Sequence, residues 1–64
     1  MRLDGYMRIK DVAEELAVSY TTVINLIKRG ELKAFKVGGQ WRVRAEEYHK
    51  FLFRQMERRR GYRA

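Results

Sequence analysis

Thr21, Asn25 and Lys28 follow one another at helical spacing, with Tyr20 and Ile24 beside them. Residues three and four apart are neighbours on a helix surface. This set could therefore read base edges. Asn25 can bond bidentately to adenine, Thr21 and Ile24 can meet a thymine methyl, and Lys28 can donate to guanine or phosphate. A second set, Lys36, Arg42 and Arg44, suits phosphate contact or insertion of an arginine into a minor groove. Plainer readings stand beside these. Lys28 also suits the negative end of a helix dipole. Thr22 reads as a packing or helix-start residue, and Tyr20 could lie against a neighbouring element. Asn25 is harder to explain blandly, because asparagine has low helix preference and this position has no apolar role.

The chain supplies little for catalysis. It has no cysteine, which excludes disulfides, thiolate zinc sites and cysteine nucleophiles. The lone histidine, His49, follows Tyr48 and has no obvious acid partner in the sequence. Ser19 reads as a helix cap, while Glu14-Glu15 and Glu46-Glu47 read as solvated helix faces. The expectation is a chain that is not an enzyme, with no metal and no cofactor.

Charge points the same way as the two sets. The 64 residues hold 15 Lys and Arg against 8 Asp and Glu, a net +7. The pI is near 10.3, and a domain pI above about 9 is the electrostatic footprint of a nucleic-acid binder. Residues 1–32 carry five basic and five acidic residues, so residues 33–64 carry the whole excess. With 45% hydrophobic residues the chain is globular rather than disordered. No apolar run approaches the roughly 20 residues of a membrane span. Met1-Arg2-Leu3-Asp4-Gly5 lacks the apolar region of a secretory signal. One cytoplasmic domain over residues 1–64 is expected, with a core at about 7–53 and a basic helix end at 54–64.

Periodicity supplies the elements that would carry these residues. Ile9, Val12, Ala13 and Leu16 form one helical stripe, predicting a first helix at 9–16. Ser19 is a good N-cap for a second helix at about 20–29, whose stripe is Val23, Leu26 and Ile27. Gly30 stands where a left-handed C-cap is expected, after Lys28 and Arg29 in the last turn. So short a turn between two helices is the signature of a helix-turn-helix. Phe35 to Val37 and Trp41 to Arg44 then alternate around Gly38-Gly39, which predicts a β-hairpin. A three-residue loop at 38–40 would pair Val37 with Trp41 and Phe35 with Val43, leaving Lys36 opposite Arg42 on the wet face. The last helix should start near Ala45, bear Tyr48, Phe51, Leu52 and Met56 as its stripe, and end before Gly61. Phe53 lies off that stripe.

Helix, tight turn, helix, hairpin, helix is the order of a winged helix-turn-helix, mainly α with a small β-hairpin. Residues 7–52 resemble the excisionase-type DNA-binding domain, which is also the N-terminal half of MerR-like regulators. The resemblance is carried by Ile9-Lys10-Asp11-Val12-Ala13-Glu14-Glu15-Leu16, Val18-Ser19, Thr22-Val23, Leu26 through Leu32, Val37-Gly38-Gly39 and Trp41-Arg42-Val43. The agreement lies in the spacing of all the pieces together. Ala17 stands where the family often has glycine, Arg8 where a Ser or Thr cap is common, and Ile24 where a larger residue is frequent.

The resemblance implies sequence-specific binding of double-stranded DNA. The second helix, about 20–29, would enter the major groove, and the wing, about 34–44, would meet the backbone or minor groove. The expected interface is Ser19, Tyr20, Thr21, Thr22, Ile24, Asn25, Lys28 and Arg29 from the helix. Lys36, Gly39, Gln40, Arg42 and Arg44 join it from the wing. Trp41 reads as a core anchor. The implied roles are a recombination directionality factor of excisionase type or a small transcriptional regulator, with further copies head-to-tail on DNA, or an integrase, as partners. An interaction module, or the DNA-reading fragment of a larger recombinase or regulator, is the alternative. Arg54, Arg58, Arg59, Arg60 and Arg63 are open between a solvated helix end and an extra phosphate or partner contact. Phe53 is open between a subunit contact and an isolated exposed residue.

Overall fold

The computed structural model describes residues 5–63, with side chains through residue 58. Its elements, in order, are β1 (Tyr6–Met7), α1 (Ile9–Leu16), α2 (Tyr20–Lys28), β2 (Phe35–Val37), β3 (Gln40–Arg44) and α3 (Ala45–Arg63). The strands form one antiparallel sheet in the order β1-β3-β2. This is a mostly helical winged helix-turn-helix.

Local chemistry accounts for the helix ends. Arg8 offers no side-chain acceptor for α1. The Asp11 carboxylate instead accepts from the Arg8 backbone N–H at 3.0 Å. That hydrogen bond, helped by the Arg8 guanidinium, holds the Asp11 carboxyl below the usual carboxylate range. At the other end Ala17 takes the left-handed conformation, φ 57° and ψ 44°. Its N–H and that of Val18 then reach back to Glu14 and Ala13, which closes the helix and turns the chain. Ser19 caps α2: its hydroxyl accepts from the Thr22 N–H at 3.1 Å. Gly30, with φ 79°, ends α2. Gly30 N–H donates to Ile27 and Glu31 N–H to Leu26, the two bonds of a Schellman motif.

The core collects Met7, Ile9, Val12, Ala13, Val23, Leu32, Val43, Tyr48 and Phe51, all buried. Leu16, Ile24, Leu26, Ile27, Ala34, Trp41 and Leu52 pack against it while half-buried. Burial of Tyr48, with Glu15's negative charge, raises its phenol above the ordinary value.

The hairpin register differs from the expected one. Phe35 pairs with Arg42, Lys36 with Trp41, and Val37 with Gln40. The loop is thus two residues, Gly38 and Gly39, at φ 58° and 82°. Two successive positive φ values define a type I′ turn, whose twist matches that of paired strands. A three-residue loop would have asked Gln40 to be left-handed, and the glycine pair avoids that. One consequence is that Phe35 and Val37 face outward, 39% and 56% exposed. Another is that Lys36 shares a face with Trp41 rather than Arg42, its Nζ 5.0 Å from the indole centroid. Phe35 finds Tyr6 across the sheet, edge to face at 5.6 Å.

The last helix is longer than expected. It runs through Gly61 to Arg63. A helix-interior glycine costs only about 1 kcal/mol against alanine, so it need not stop a helix. At about 1.5 Å per residue α3 spans about 28 Å, and its second half overhangs the core. Met56, placed on the buried stripe by periodicity, is therefore 59% exposed. Phe53 is exposed as its offset predicted.

Candidate nucleic-acid interface

The exposed side of α2 carries Thr21, Asn25 and Lys28, with Arg29 at its C-cap and Val23 fully buried behind them. Tyr20 and Ile24 flank this surface. Tyr20 is exposed, while Ile24 is half-buried against the core and offers only its outer edge. Ser19 and Thr22 are also exposed, but they bond to each other, Oγ to Oγ1 at 2.9 Å. Their hydroxyls are already engaged in starting the helix.

The wing meets the start of α2 in one hollow. Tyr20, Gly39, Gln40 and Arg42 line it, together with Arg8, Lys10 and Trp41. Four expected interface residues thus come together there. Arg42 is held in place on its own strand. Its Nη1 donates to the Trp41 carbonyl at 2.8 Å and its Nη2 to Gln40 Oε1 at 3.1 Å. A guanidinium carries five donors, so others stay available for a phosphate. Arg8 and Lys10 were not among the interface residues expected from the sequence. Periodicity placed Lys10 only on a polar face, and the nearness of the first helix to the wing tip is a tertiary fact.

Other expected residues lie apart from this hollow. Arg44 stands on the outer sheet face, ion-paired with Glu46 at 3.2 Å. Arg29, at the far end of α2, pairs with Glu31 at 3.1 Å. Lys36 sits over Trp41, which is half-buried against the core and so anchors the hairpin there. Arg59, Arg60 and Arg63 have side chains outside the described residues, as does the segment Met1 to Asp4.

His49 is exposed, its ring 5.7 Å from that of Tyr48. Among the described residues no group of three or more His, Asp or Glu could hold a metal ion. No helix among them is long and apolar enough to cross a membrane.

A helix-turn-helix domain family matches residues 6–56, most of the chain. The chain belongs to that family. It is a family of excisionase-type and MerR-like DNA-binding domains, typically non-enzymatic. The match begins at β1 and ends within α3, so it includes the helix pair and the wing. No curated protein and no solved structure matches the chain significantly.

Proposed function

We propose that this chain is a sequence-specific binder of double-stranded DNA acting as a single domain. α2 enters the major groove and the wing grips the adjacent backbone or minor groove. The observation that carries this reading is the continuity of α2's exposed face with the cationic hollow at the wing tip. Thr21 and Asn25 sit on that face, and Arg8, Lys10 and Arg42 line the hollow together with Tyr20, the residue before Thr21. Short polar side chains on a helix suit base edges, and clustered cations beside them suit phosphates. Ile24 contributes at most apolar contact from its outer edge. Ser19 and Thr22 contribute through the helix N-terminus, where backbone amides favour phosphate. Lys28 and Arg29 supply charge at the other end of α2, and Lys36 and Arg44 do so along the wing, where Gly39 allows close approach and Gln40 offers an amide.

In the cell such a protein would work in the cytoplasm, at an attachment site as an excisionase-like directionality factor or at a promoter as a small regulator. Copies could line up head-to-tail, and an integrase would be the protein partner in the first role. An integrase gene next to this one would favour excision.

Selection from a random duplex library at near-physiological salt, followed by sequencing, tests the reading. An enriched motif is expected, and its copy number and spacing would give the binding arrangement. Retention without any motif would overturn specific readout in favour of an architectural binder. No retention would overturn DNA binding itself and leave the interaction module.

A further inference from the structure

A second hollow lies at the opposite end of α2. Gly30, Glu31 and Lys33 line it from the turn after the helix, and Arg54, Gln55 and Arg58 from α3. We propose that this hollow is a second phosphate clamp, holding the duplex backbone on the side of the major groove away from the wing. The proposal rests on the DNA-binding reading above and adds a site to it.

Three observations carry it. The first is charge. Lys33, Arg54 and Arg58 bring three cations to the hollow, and its one acid, Glu31, is already engaged by Arg29 at 3.1 Å. Among the described residues no carboxylate pairs with Lys33 or Arg58. The second is order. Arg54 Nη2 donates to the Glu31 main-chain carbonyl at 2.9 Å. This fixes the guanidinium at the rim and leaves its remaining donors to meet a phosphate. Arg58 stands one turn further along the same face of α3. Gly30 adds access, since nothing lies within 4 Å of where its Cβ would be.

The third is spacing. The wing hollow includes Tyr20, the first residue of α2, and the second hollow includes Gly30, just past its end. The nine residues of α2 span about 13 Å at 1.5 Å per residue. B-DNA's major groove is about 12 Å wide between its phosphate walls. A helix lying in that groove with a cationic hollow at each end can therefore meet both walls. The wing serves one and the overhanging α3 the other, which gives a role to a helix extending past its core contacts.

The test uses the full chain carrying Lys33→Ala and Arg58→Ala. Both residues are exposed, so the circular dichroism and melting curve should match the unaltered protein. A Lys33→Gln/Arg58→Gln pair serves as the second variant should the first fold poorly. Affinity for the duplex selected above, and for a random duplex, is measured from about 50 to 200 mM salt. Losing two phosphate contacts should lower the slope of log K against log salt by about 2 and weaken both duplexes about equally, by about tenfold or more. Ethylation interference should lose its signal on one groove wall and keep it on the other. Unchanged slope and affinity would overturn the clamp while leaving the α2 reading intact. So would an unchanged slope with loss of binding to polyglutamate, which would give the hollow to an acidic polypeptide. Failure of the unaltered protein to bind any duplex would overturn the underlying reading, and the clamp with it.

Discussion

The Arg54 guanidinium on α3 donates to the backbone carbonyl of Glu31, 2.9 Å away and 23 residues earlier in the chain. It is a side-chain hydrogen bond between elements distant in sequence. It joins the overhanging half of α3 to the turn that ends α2, so it couples the last helix to the candidate recognition helix. Charged hydrogen bonds contribute about 1.5–3 kcal/mol, less where solvent competes, as at this exposed residue. Arg54→Met keeps the apolar stem and removes the donor. It should cost about 1 kcal/mol in urea unfolding with an unchanged m-value. No loss would mean that the carbonyl is equally well served by water.

The two-glycine turn makes a sharper prediction. Gly38 and Gly39 both have positive φ, and no atom stands within 4 Å of either absent Cβ. Any penalty for substitution there is backbone strain alone. Asn-Gly is a favoured pair in a type I′ turn, so Gly38→Asn should change stability by under about 0.5 kcal/mol. Gly39→Val should cost about 1–2 kcal/mol, because a β-branched residue resists the left-handed region. Equal tolerance of both changes in thermal unfolding would contradict the turn assignment.

That turn also marks where sequence reading stops. The helices were legible because Ile9, Val12, Ala13 and Leu16, and then Val23, Leu26 and Ile27, repeat at helical spacing between recognisable caps. The hairpin was legible as a hairpin. Its register was not, because placing Phe35 and Val37 inward looked like the hydrophobic choice. Backbone geometry at Gly38-Gly39 outweighed it, and Tyr6 gave Phe35 an aromatic partner on the outer face. Strand β1 was invisible, since two residues show no alternation. It exists because Tyr6 and Met7 pair with Arg44 and Val43. Leu32, 1% exposed, was part of a matching motif but was not recognised as core. The candidate site was half legible. Its types and helical face came from spacing, while the contribution of Arg8 and Lys10 came only from packing.

Ala17 stores conformational strain. At φ 57° it is the only non-glycine residue among those described with positive φ. A left-handed residue with a Cβ costs about 1–2 kcal/mol. Glycine would remove that, but it enlarges the unfolded ensemble by about 0.4–1 kcal/mol. The balance favours Ala17→Gly by about 0.5–1 kcal/mol, a rise of several degrees in melting temperature for a domain of this size. A lower melting temperature would show that the Ala17 methyl makes contacts worth more than the strain.

Asp11 gives the fold a pH dependence with a definite sign. Its folded-state carboxyl is held below the ordinary value of 3.8 by the Arg8 N–H and the nearby cation. A depressed carboxyl contributes stability above its unfolded pKa and loses it as pH falls through the folded value. Asp11→Ala should therefore melt lower than the unaltered protein at pH 7. The gap should begin to close below about pH 5 and go on narrowing as pH falls through the lower folded-state value. A gap independent of pH would assign the effect to helix propensity instead of the cap.

Asn25 and Arg42 separate the two halves of DNA recognition. Asn25 is exposed at the middle of α2, with Thr21 one turn before it. Arg42 is fixed on the wing by its bonds to Trp41 and Gln40. If α2 reads bases, Asn25→Ala should weaken the selected duplex by about 1–3 kcal/mol and barely alter binding to random duplex. Arg42→Ala should weaken both alike and reduce the salt slope by about 1. Titrations of each variant against both duplexes at several salt concentrations give all four numbers. Equal losses from Asn25→Ala on the two duplexes would remove it from base readout. An unchanged slope for Arg42→Ala would remove Arg42 from the phosphate contacts, leaving Arg8 and Lys10 to carry the charge of the wing hollow.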